Sequence, residues 1–370
     1  MVRVVFAGGG TGGHIFPAIA IAERLAAAGE VDMVFVGTKH KIEAKVVPEL
    51  GYKFRAIWIG GFSRKLKMSN LLLPIKIIAS VIQSLKLIFT FRPHVVVGTG
   101  GYVSGPVCAA AALTLTPIVL QEHNSYPGAM TRLFAPLARE VHIAFESSRK
   151  YFRRIVPLSR VPGNIHLTGS PLRKMPEVSR DEALNFFGLT AEKRTLLVTG
   201  GSLGAVKVNS AVAQIVGELI DHNYQVVWQT GSVDFENIRE IGKRFPEHLR
   251  VVEFIDRMNY AYSAADVAVC RGGATTIAEV IYFNLPSIVI PYPFAAANHQ
   301  VENARALVES GGAVMVQESE LPEKFSDELL GLIGSPDRLD AMRAKLKSLQ
   351  HPDAAEMIAE SVLRIAGANA

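Results

Sequence analysis

The stretch Val2–His14, VRVVFAGGGTGGH, decides the class of fold. A short apolar run leads directly into a glycine-rich loop, and the helical pattern that follows it ends at Gly29. One face of that predicted helix carries the apolar residues Ile15, Ala18, Ile19, Ala22 and Leu25. A strand, a glycine loop and an amphipathic helix in this order are typical of the first unit of a doubly wound parallel sheet. We therefore predict an α/β fold.

The same succession recurs in both halves of the chain. Buried strands are predicted at the β-branched runs Val31–Val36, Val95–Val97, Ile118–Leu120, Leu196–Val198, Val226–Trp228, Val267–Val269 and Ile288–Ile290. Continuous apolar strands that alternate with helices are typical of parallel sheets covered on both faces. Two such series predict two domains, residues 1–169 and 170–351.

The composition is that of an ordered, basic protein. Of 370 residues, 49% are hydrophobic, which is enough for two cores, and the net charge of +5 favours anionic partners such as nucleic acid, phosphorylated ligands or acidic lipid. Cys108 and Cys270 lie in apolar runs and are predicted to be buried thiols of a cytosolic protein. The first residues lack the pattern of a signal peptide, and the uncharged apolar runs are too short to span a bilayer.

The first glycine loop predicts a phosphate site. Gly8, Gly10 and Gly13 satisfy G-x-G-x-x-G, which brings backbone N–H groups and a helix N-terminus towards a pyrophosphate. An NAD site also needs an acid at the end of the second strand, but Asp32 lies at its start. A P-loop is excluded because no Gly-Lys-Ser/Thr follows. The loop at 200–205 offers a second anion site in the other half, which indicates a transferase with two phosphorylated substrates.

Two ionisable residues adjoin such loops. His14 lies in the first helical turn, where the helix N-terminus favours a neutral imidazole that can act as a general base. A capping or packing histidine is the alternative. Glu279 follows Arg271-Gly272-Gly273 and could accept two hydrogen bonds from a ribose diol, although an acid favoured by the helix dipole explains it equally well.

Taken together, these motifs resemble one family. Gly8–His14, Gly100–Pro106 and Gly200–Ala205 are similar to the three glycine loops of the MurG family, and Glu253–Asp256 and Arg271–Glu279 resemble its nucleotide motifs. The resemblance extends from residue 8 to about residue 303. It implies a GT-B fold, two Rossmann-like domains facing a cleft, with a C-terminal helix at about residues 352–368 packing back on the first domain.

The resemblance also implies an activity. The family moves N-acetylglucosamine from UDP-GlcNAc to the C4 hydroxyl of undecaprenyl-pyrophosphoryl-MurNAc-pentapeptide, in peptidoglycan synthesis. The donor sugar is α-linked, and the resemblance implies a β-linked product. One inversion at the anomeric carbon implies direct displacement through an oxocarbenium-like transition state. His14 is the first candidate for the base that takes the hydroxyl proton, and Glu122 is the second. No cofactor is expected, and no protein-bound metal, because no Asp-x-Asp motif ends a strand.

Site residues follow by resemblance. Those implied to contact the donor are Thr11, Gly12, Gly13, Asn124, Arg173, Ser202, Ile255, Ala274, Thr275, Thr276, Ile277, Ala278, Glu279 and Gln300. Those implied to receive the acceptor pyrophosphate are Gly10, Gly100, Gly101, Tyr102 and Ser104. Two departures stand out: Gln121-Glu122-His123-Asn124 replaces the usual His-Glu-Gln-Asn, and Leu203 replaces a common Gln.

A span without acidic residues predicts a membrane surface. Between Glu49 and Glu122 the charged residues are all Lys or Arg, and Leu71–Phe91 within that span is almost wholly apolar. Such a helix suits an anionic bilayer surface, although a buried core helix with solvated lysines is the alternative. The predicted membrane residues are Lys65, Lys67, Leu72, Ile75, Lys76, Ile82 and Lys86. We expect a peripheral protein at the cytoplasmic face of the cell membrane, with other cell-wall enzymes as further partners.

Other readings of the sequence remain open. A diacylglycerol glycosyltransferase and a UDP-GlcNAc 2-epimerase would share the fold, whereas an NAD(P)-dependent oxidoreductase or a non-catalytic basic nucleotide-binding module belongs to another class. Nucleic acid is not expected as a partner, because the aromatic-interleaved basic strands of RNA-binding proteins are absent.

Overall fold

The computed structural model describes residues 1–61, 72–153, 164–201, 203–351 and 353–367. The chain forms two compact units. Unit 1 comprises Met1–Lys174 with His351–Ala370, and unit 2 comprises Met175–Gln350. The boundary therefore follows Lys174, where the sequence suggested residue 169.

The described residues of unit 1 form a parallel sheet of seven strands in the order β3-β2-β1-β4-β5-β6-β7. The strands are β1 (Val2–Gly8), β2 (Val31–Gly37), β3 (Lys53–Ala56), β4 (Val95–Gly100), β5 (Ile118–Glu122), β6 (Glu140–Ile143) and β7 (Ile165–Leu167). In register, Phe6 pairs with Phe35 of β2 and Val97 of β4. The order reverses between β1 and β4, so the loops that follow these two strands meet at the carboxyl edge of the sheet.

Helices cover both faces of this sheet. They are α1 (Gly12–Ala28), α2 (Glu43–Glu49), α3 (Leu73–Phe91), α4 (Gly101–Leu113), α5 (Ala129–Phe134) and α15 (Ala354–Gly367), with 3₁₀ helices at Ala135–Leu137 and Glu146–Arg153. The predicted apolar face of α1 is buried and Gly29 caps the helix, as expected. Ile358 and Val362 of α15 join the same core as Phe6 and Ile19.

Unit 2 repeats the design with six parallel strands in the order β10-β9-β8-β11-β12-β13. The strands are β8 (Arg194–Thr199), β9 (Tyr224–Gln229), β10 (Leu249–Val252), β11 (Val267–Cys270), β12 (Ser287–Val289) and β13 (Ala313–Met315). The helices are α6 (Arg180–Phe187), α7 (Val206–Gln214), α8 (Val216–Asp221), α9 (Phe235–Arg244), α10 (Met258–Ala264), α11 (Ala274–Tyr282), α12 (His299–Glu309), α13 (Leu321–Ile333) and α14 (Pro336–Ser348), with 3₁₀ helices at Ala296–Asn298 and Glu318–Glu320. Here the order reverses between β8 and β11.

The seven further strands predicted from the sequence are present, and both cysteines are buried thiols. The sequence reading missed the strands β3, β6, β7, β10 and β13. Four of these strands, β3, β6, β7 and β10, are only three or four residues long and contain Lys, Arg, Glu or His. They therefore lack the continuous apolar run by which the other strands were predicted. β3, β7, β10 and β13 also lie at the edges of their sheets, where less apolar burial is needed.

Helix α3 reverses the usual arrangement of a surface helix. Its buried residues are Ser80, Ser84 and Ile88, on the side that packs against α4. Ile78 is 62% exposed and Ile82 60% exposed, so the apolar stripe faces outward. Among the described residues, α3 is the helix that is long and apolar enough to cross a membrane by length and composition. Uncharged apolar runs, the only ones considered from the sequence, are too short to span a bilayer. Helix α3 reaches that length because it includes two lysines, Lys76 and Lys86.

A cluster of ionisable residues joins α15 to the far strands of the sheet in unit 1. Glu140 accepts hydrogen bonds from Ser361 and, at 2.6 Å, from Arg364. His142 Nε2 lies 3.4 Å from Glu140 Oε2, and the His142 ring stacks on that of His166. These residues line a cavity of about 210 Å³. Burial lowers the pKa of His142 to about 4, against the attraction of Glu140, so this imidazole is neutral at pH 7.

His142 should make stability fall with acid. In the unfolded chain its pKa is 6.5, so protons enter the unfolded state first as the pH falls. The contribution is complete above pH 6.5 and should be lost as the pH falls to about 4, by about 3 kcal/mol in total. His142→Gln should remove that part of the pH dependence, measured by urea unfolding at several pH values. His40→Gln, at an exposed position, is the control and should keep the pH dependence of the wild type. The assignment is wrong if the free energy of unfolding falls equally with acid in the wild type and in His142→Gln.

Candidate active site

In unit 1 the loops after β1 and β4 lie against each other. Gly100 and Gly101 have φ angles of +99° and +78°, a region that favours glycine. A methyl group on Gly101 would lie 2.4 Å from the carbonyl oxygen of Gly9, and one on Gly8 would lie 2.0 Å from Thr99 Oγ1. The glycines therefore allow two backbone segments to touch, which leaves a surface of backbone groups at this edge.

His14 lies in the first turn of α1, against the second loop. Its Nδ1 is 3.1 Å from the carbonyl oxygen of Thr99, and Thr99 Oγ1 donates to the carbonyl of His14 at 2.7 Å. A carbonyl oxygen can only accept, so Nδ1 carries the hydrogen of this contact. In the neutral ring the lone pair is then on Nε2, the form that a general base requires.

Thr11, Gly12 and Gly13 form the start of α1 and are partly or fully exposed. Thr11 is the N-cap residue, yet its side chain makes no capping hydrogen bond, and the first turn contains no acidic residue. The positive end of the helix dipole is therefore not compensated by an acid from the helix itself. This part of the loop retains the anion-binding character predicted from the sequence.

Glu43 is a residue of this site that the sequence reading missed. Its side chain is fully buried; Oε2 accepts from Gly10 N at 3.1 Å, and Oε1 accepts from both the N–H and the hydroxyl of Thr38. A methyl group on Gly9 would lie 2.7 Å from Glu43 Oε1. The N–H of Gly10, predicted to meet the acceptor pyrophosphate, thus already donates to an internal carboxylate. Glu43 follows β2 at the start of α2, and only its position after a strand end could have signalled it.

Tyr102 and Ser104 differ in what they can offer a ligand. The half-buried Tyr102 ring covers Gly10, and burial raises the pKa of its phenol, with the hydrogen bond to Thr38 opposing. Ser104 is buried: its hydroxyl accepts from Gly100 N at 3.0 Å and lies 2.7 Å from the Ala7 carbonyl, to which it can donate. The Ser104 hydroxyl therefore supports the second loop, and its contact with a pyrophosphate stays a prediction.

Glu122 ends β5 and organises the turn that follows it. Oε1 accepts from the N–H and Nδ2 of Asn124 at 3.0 and 3.1 Å, and Oε2 accepts from Gly128 N at 2.8 Å. Glu122 is 2% exposed, and both of its oxygens accept hydrogen bonds from within the protein. Asn124 is buried next to it.

Arg173, predicted to bind the donor diphosphate, belongs to unit 1. Its Nη2 lies 2.7 Å from Glu23 Oε1 on α1. This ion pair is partly exposed, and such pairs are weak. An anionic ligand could therefore compete for this guanidinium.

In unit 2 the loops after β8 and β9 cross backbone to backbone. Gly204 has φ +73°, and a methyl group on it would lie 2.1 Å from the carbonyl oxygen of Thr230. Gly231 faces Gly204 in the same way. Ser202, predicted to contact the donor diphosphate, lies outside the described residues, and so do Lys65 and Lys67 of the predicted membrane set.

Gln229, at the end of β9, connects these loops to the segment after β10. Its Nε2 donates to Thr199 Oγ1 at 3.2 Å and to the carbonyl of Gly201 at 2.9 Å, and its Oε1 accepts from Ile255 N at 2.8 Å. The backbone group that Ile255 can offer a ligand is consequently its carbonyl. A polar residue directly after a predicted strand was the available signal for Gln229.

Glu279 lies in α11, where Tyr262 of α10 donates to its Oε2 at 2.9 Å. Burial raises the pKa of Glu279 to about 7, although the hydrogen bond from Tyr262 opposes this shift. Tyr262 is buried and its ring stacks on that of Phe283. This packing holds the Tyr262 hydroxyl in place beside the Glu279 carboxyl group. The pattern of α10 gave no indication that Tyr262 belongs to the site.

The remaining predicted donor residues of unit 2 lie at the same edge of its sheet. Ala274, Thr275, Thr276, Ile277 and Ala278 form the first turns of α11, of which Ala274 and Ile277 are buried. Gln300, near the start of α12, accepts from Tyr292 N at 2.9 Å, and a methyl group on Gly272 would meet its carbonyl oxygen at 2.5 Å. Within the described residues, no group of three or more His, Cys, Asp or Glu could hold a metal ion.

Comparison with known proteins defines the class. The N-terminal domain model of glycosyltransferase family 28 matches residues 4–143, and the C-terminal domain model of that family matches residues 195–358. Nucleotide-sugar transfer by a GT-B enzyme is the chemistry of this class, in agreement with the two sheets and their glycine loops.

The chain belongs to the MurG family within that class. A relative from Salinibacter ruber is 40% identical over 98% of this chain and 97% of its own length, and one from Chlorobaculum parvum is 39% identical over 98% and 99%. Both carry the name UDP-N-acetylglucosamine–N-acetylmuramyl-(pentapeptide) pyrophosphoryl-undecaprenol N-acetylglucosamine transferase.

Solved structures agree with this assignment. MurG of Acinetobacter baumannii superposes with a TM-score of 0.78 at 25% identity, covering 98% of this chain and all of that one. A UDP-N-acetylglucosamine 2-epimerase, one of the same-fold alternatives, has a TM-score of 0.63 at 14% identity, which shows the fold alone. The GT-B prediction is confirmed, and the oxidoreductase alternative is set aside.

The crossing of Gly204 and Gly231 should be essential to the unit 2 site. Gly204→Ala places a methyl group against the Thr230 carbonyl in a left-handed backbone, which should cost roughly 1–3 kcal/mol or more. Urea unfolding followed at the buried Trp228 measures this. Gly217→Ala is the matched control, because that exposed helical glycine has nothing within 4 Å of an added methyl group and should gain about 0.5–1 kcal/mol. Equal stabilities for the two variants would refute the argument.

Proposed function

We propose that this protein transfers N-acetylglucosamine from UDP-GlcNAc to the C4 hydroxyl of undecaprenyl-pyrophosphoryl-MurNAc-pentapeptide. The observation that carries the proposal is the 40% identity, over 98% of the chain, to a transferase of that name. The sites at the carboxyl edges of the two sheets support it, because each unit presents glycine loops and a helix N-terminus suited to phosphate.

The donor nucleotide is assigned to unit 2. The Ile255 carbonyl can accept from the N3–H of uracil, since the Ile255 N–H already donates to Gln229. Glu279 is held by Tyr262 through Oε2, so Oε1 can accept from the ribose diol. The loop containing Ser202 and the start of α11 are suited to the diphosphate, which leaves as UDP.

The acceptor is assigned to unit 1. The N-termini of α1, at Thr11–Gly13, and of α4, at Gly101, are suited to its pyrophosphate, although the resemblance implies donor contacts for Thr11–Gly13. Tyr102 borders that surface, whereas the N–H groups of Gly10 and Gly100 already donate to Glu43 and Ser104. The C4 oxygen attacks the anomeric carbon as the bond from that carbon to the UDP oxygen breaks, and the hydroxyl proton passes to His14 Nε2. Attack from the face opposite the leaving UDP inverts the α-linked sugar to a β-linked product.

Radiolabelled UDP-GlcNAc with a short-chain lipid acceptor tests the proposal. The expected product is a lipid-linked disaccharide together with UDP. Conversion of the donor to UDP-ManNAc without acceptor would instead indicate an epimerase, and label in diacylglycerol would indicate a glycolipid synthase.

Glu279 should govern the affinity for the donor. Glu279→Gln should raise the KM for UDP-GlcNAc about tenfold, because a charged acceptor is replaced by a neutral one. In the wild type, with a pKa of about 7, the carboxylate fraction falls about tenfold from pH 8 to pH 6, so the KM should rise by about that factor.

The KM of Glu279→Gln should change much less over the same pH interval. Glu236→Gln, at an exposed position of unit 2, is the control and should behave like the wild type. A wild-type KM that is flat between pH 6 and 8, or unaffected by Glu279→Gln, would remove Glu279 from the donor site.

The acceptor is lipid-linked, and we assign the membrane contact to α3. Leu72, Ile75, Ile78, Ile82 and Phe89 are all more than two-fifths exposed and recur at helical spacing along one face. Trp58, half exposed, lies beside that face: its backbone N–H donates to Gln83 Oε1 at 2.8 Å, and Lys76 Nζ lies 5.7 Å from the centre of its ring. Apolar side chains flanked by Lys and Trp are suited to the headgroup region of an anionic bilayer. These features support a peripheral enzyme at the cytoplasmic face.

Replacing the outward isoleucines should weaken vesicle binding. Ile78→Ser with Ile82→Ser removes two exposed apolar side chains, so affinity for phosphatidylglycerol vesicles should fall about tenfold or more while folding is kept. Brominated lipids should quench Trp58 in a Trp228→Phe background, since Trp228 is fully buried. Val233→Ser serves as the control, because Val233 is an apolar residue of unit 2 that is 79% exposed. Unchanged vesicle binding by the double variant would move the membrane contact away from α3.

A further inference from the structure

His123 follows β5 directly, and its ring lies against that of His14. The two ring centroids are 4.9 Å apart with 63° between the ring planes, an edge-to-face arrangement. His123 is 4% exposed, and a methyl group on Gly13 would lie 3.5 Å from its Nε2. The ring therefore covers the first turn of α1 from the side of β5.

The other side of His14 is bounded by backbone. A methyl group on Gly100 would lie 2.7 Å from His14 Nδ1, and one on Gly101 would lie 3.0 Å from His14 Cδ2. The imidazole thus lies between the glycine backbone of the second loop and the edge or face of His123. The contact to the Thr99 carbonyl fixes which nitrogen carries hydrogen only while the ring keeps this orientation, because a half-turn about the Cβ–Cγ bond exchanges Nδ1 with Cδ2.

We infer that His123 is a positioning residue for the reaction, which holds the His14 ring so that Nδ1–H donates to Thr99 and Nε2 keeps the lone pair. This inference rests on the proposed function, in which Nε2 receives the proton of the acceptor hydroxyl. The contribution of His123 is the shape of its ring and not a proton transfer. A small displacement of a base can lower kcat by roughly a hundredfold without changing substrate binding.

Two substitutions separate the ring from its nitrogens. His123→Leu removes the aromatic ring at similar volume, and should lower kcat about 10- to 100-fold with the KM for UDP-GlcNAc within about twofold. His123→Phe keeps a ring and should restore kcat to within about threefold of the wild type. If His123→Phe loses as much activity as His123→Leu, the nitrogens are required and the positioning role is wrong. Unchanged kcat in His123→Leu would overturn it as well.

A measurement without substrate separates this inference from the proposed function. Nitrogen-15 NMR of labelled histidine distinguishes Nδ1–H from Nε2–H rings, with the His14 signals assigned by His14→Gln. The Nδ1–H form of His14 should dominate in the wild type and in His123→Phe, and should be mixed in His123→Leu. The same His14 spectrum in all three proteins would refute the inference even if GlcNAc transfer is confirmed. Failure of the wild type to transfer GlcNAc would refute the proposed function and leave the NMR result standing.

Discussion

Close backbone contact between glycine loops is the constraint on which both sites depend. In unit 1 Gly101 approaches the Gly9 carbonyl, and in unit 2 Gly204 approaches that of Thr230, at distances that leave no room for a Cβ atom. Each approach occurs at the carboxyl edge of a parallel sheet, in unit 1 where the strand order reverses. Because side chains are absent there, N–H groups and helix N-termini form the surface, and that surface is what a phosphate group recognises.

The internal carboxylates show how that surface is divided. Glu43 accepts a hydrogen bond from the N–H of Gly10, so the first loop is stabilised by a buried side chain of the protein itself. The start of α1, from Thr11 onward, contains no acid and keeps its positive end for a ligand. Glu279 in unit 2 differs from Glu43, because Tyr262 donates a hydrogen bond to only one of its two oxygens. Burial also raises the pKa of Glu279 to about 7. The other carboxyl oxygen of Glu279 is the one that the proposed ribose contact uses.

The sequence predicted the frame and the loops well, and the contacts between distant side chains poorly. Glycine runs after apolar strands have a local cause, so β1, β4, β8 and β11 and their loops could be placed from pattern alone. The role of Ser104 depends on β1, and that of Glu43 on a loop some 30 residues earlier, which no local pattern contains. The same holds for Gln229, whose partners lie at the end of β8 and in the segments after β8 and β10. Family resemblance named ligand contacts, but it could not tell which of those groups the fold already uses.

Helix α3 carries the proposed membrane contact. Ser80 and Ser84 donate to carbonyls of their own helix, so their hydroxyls are satisfied although they are buried. Small side chains on that face let α3 lie close to α4, and Ile88 joins Val103 and Val107 in the core beneath. Because the serine face packs inward, the isoleucines lie on the outer face of α3. An exposed apolar face of this kind lowers solubility in water unless another apolar surface covers it. Under the proposed function the acceptor is anchored in a bilayer, and the bilayer is an apolar phase that can cover the outward isoleucines of α3.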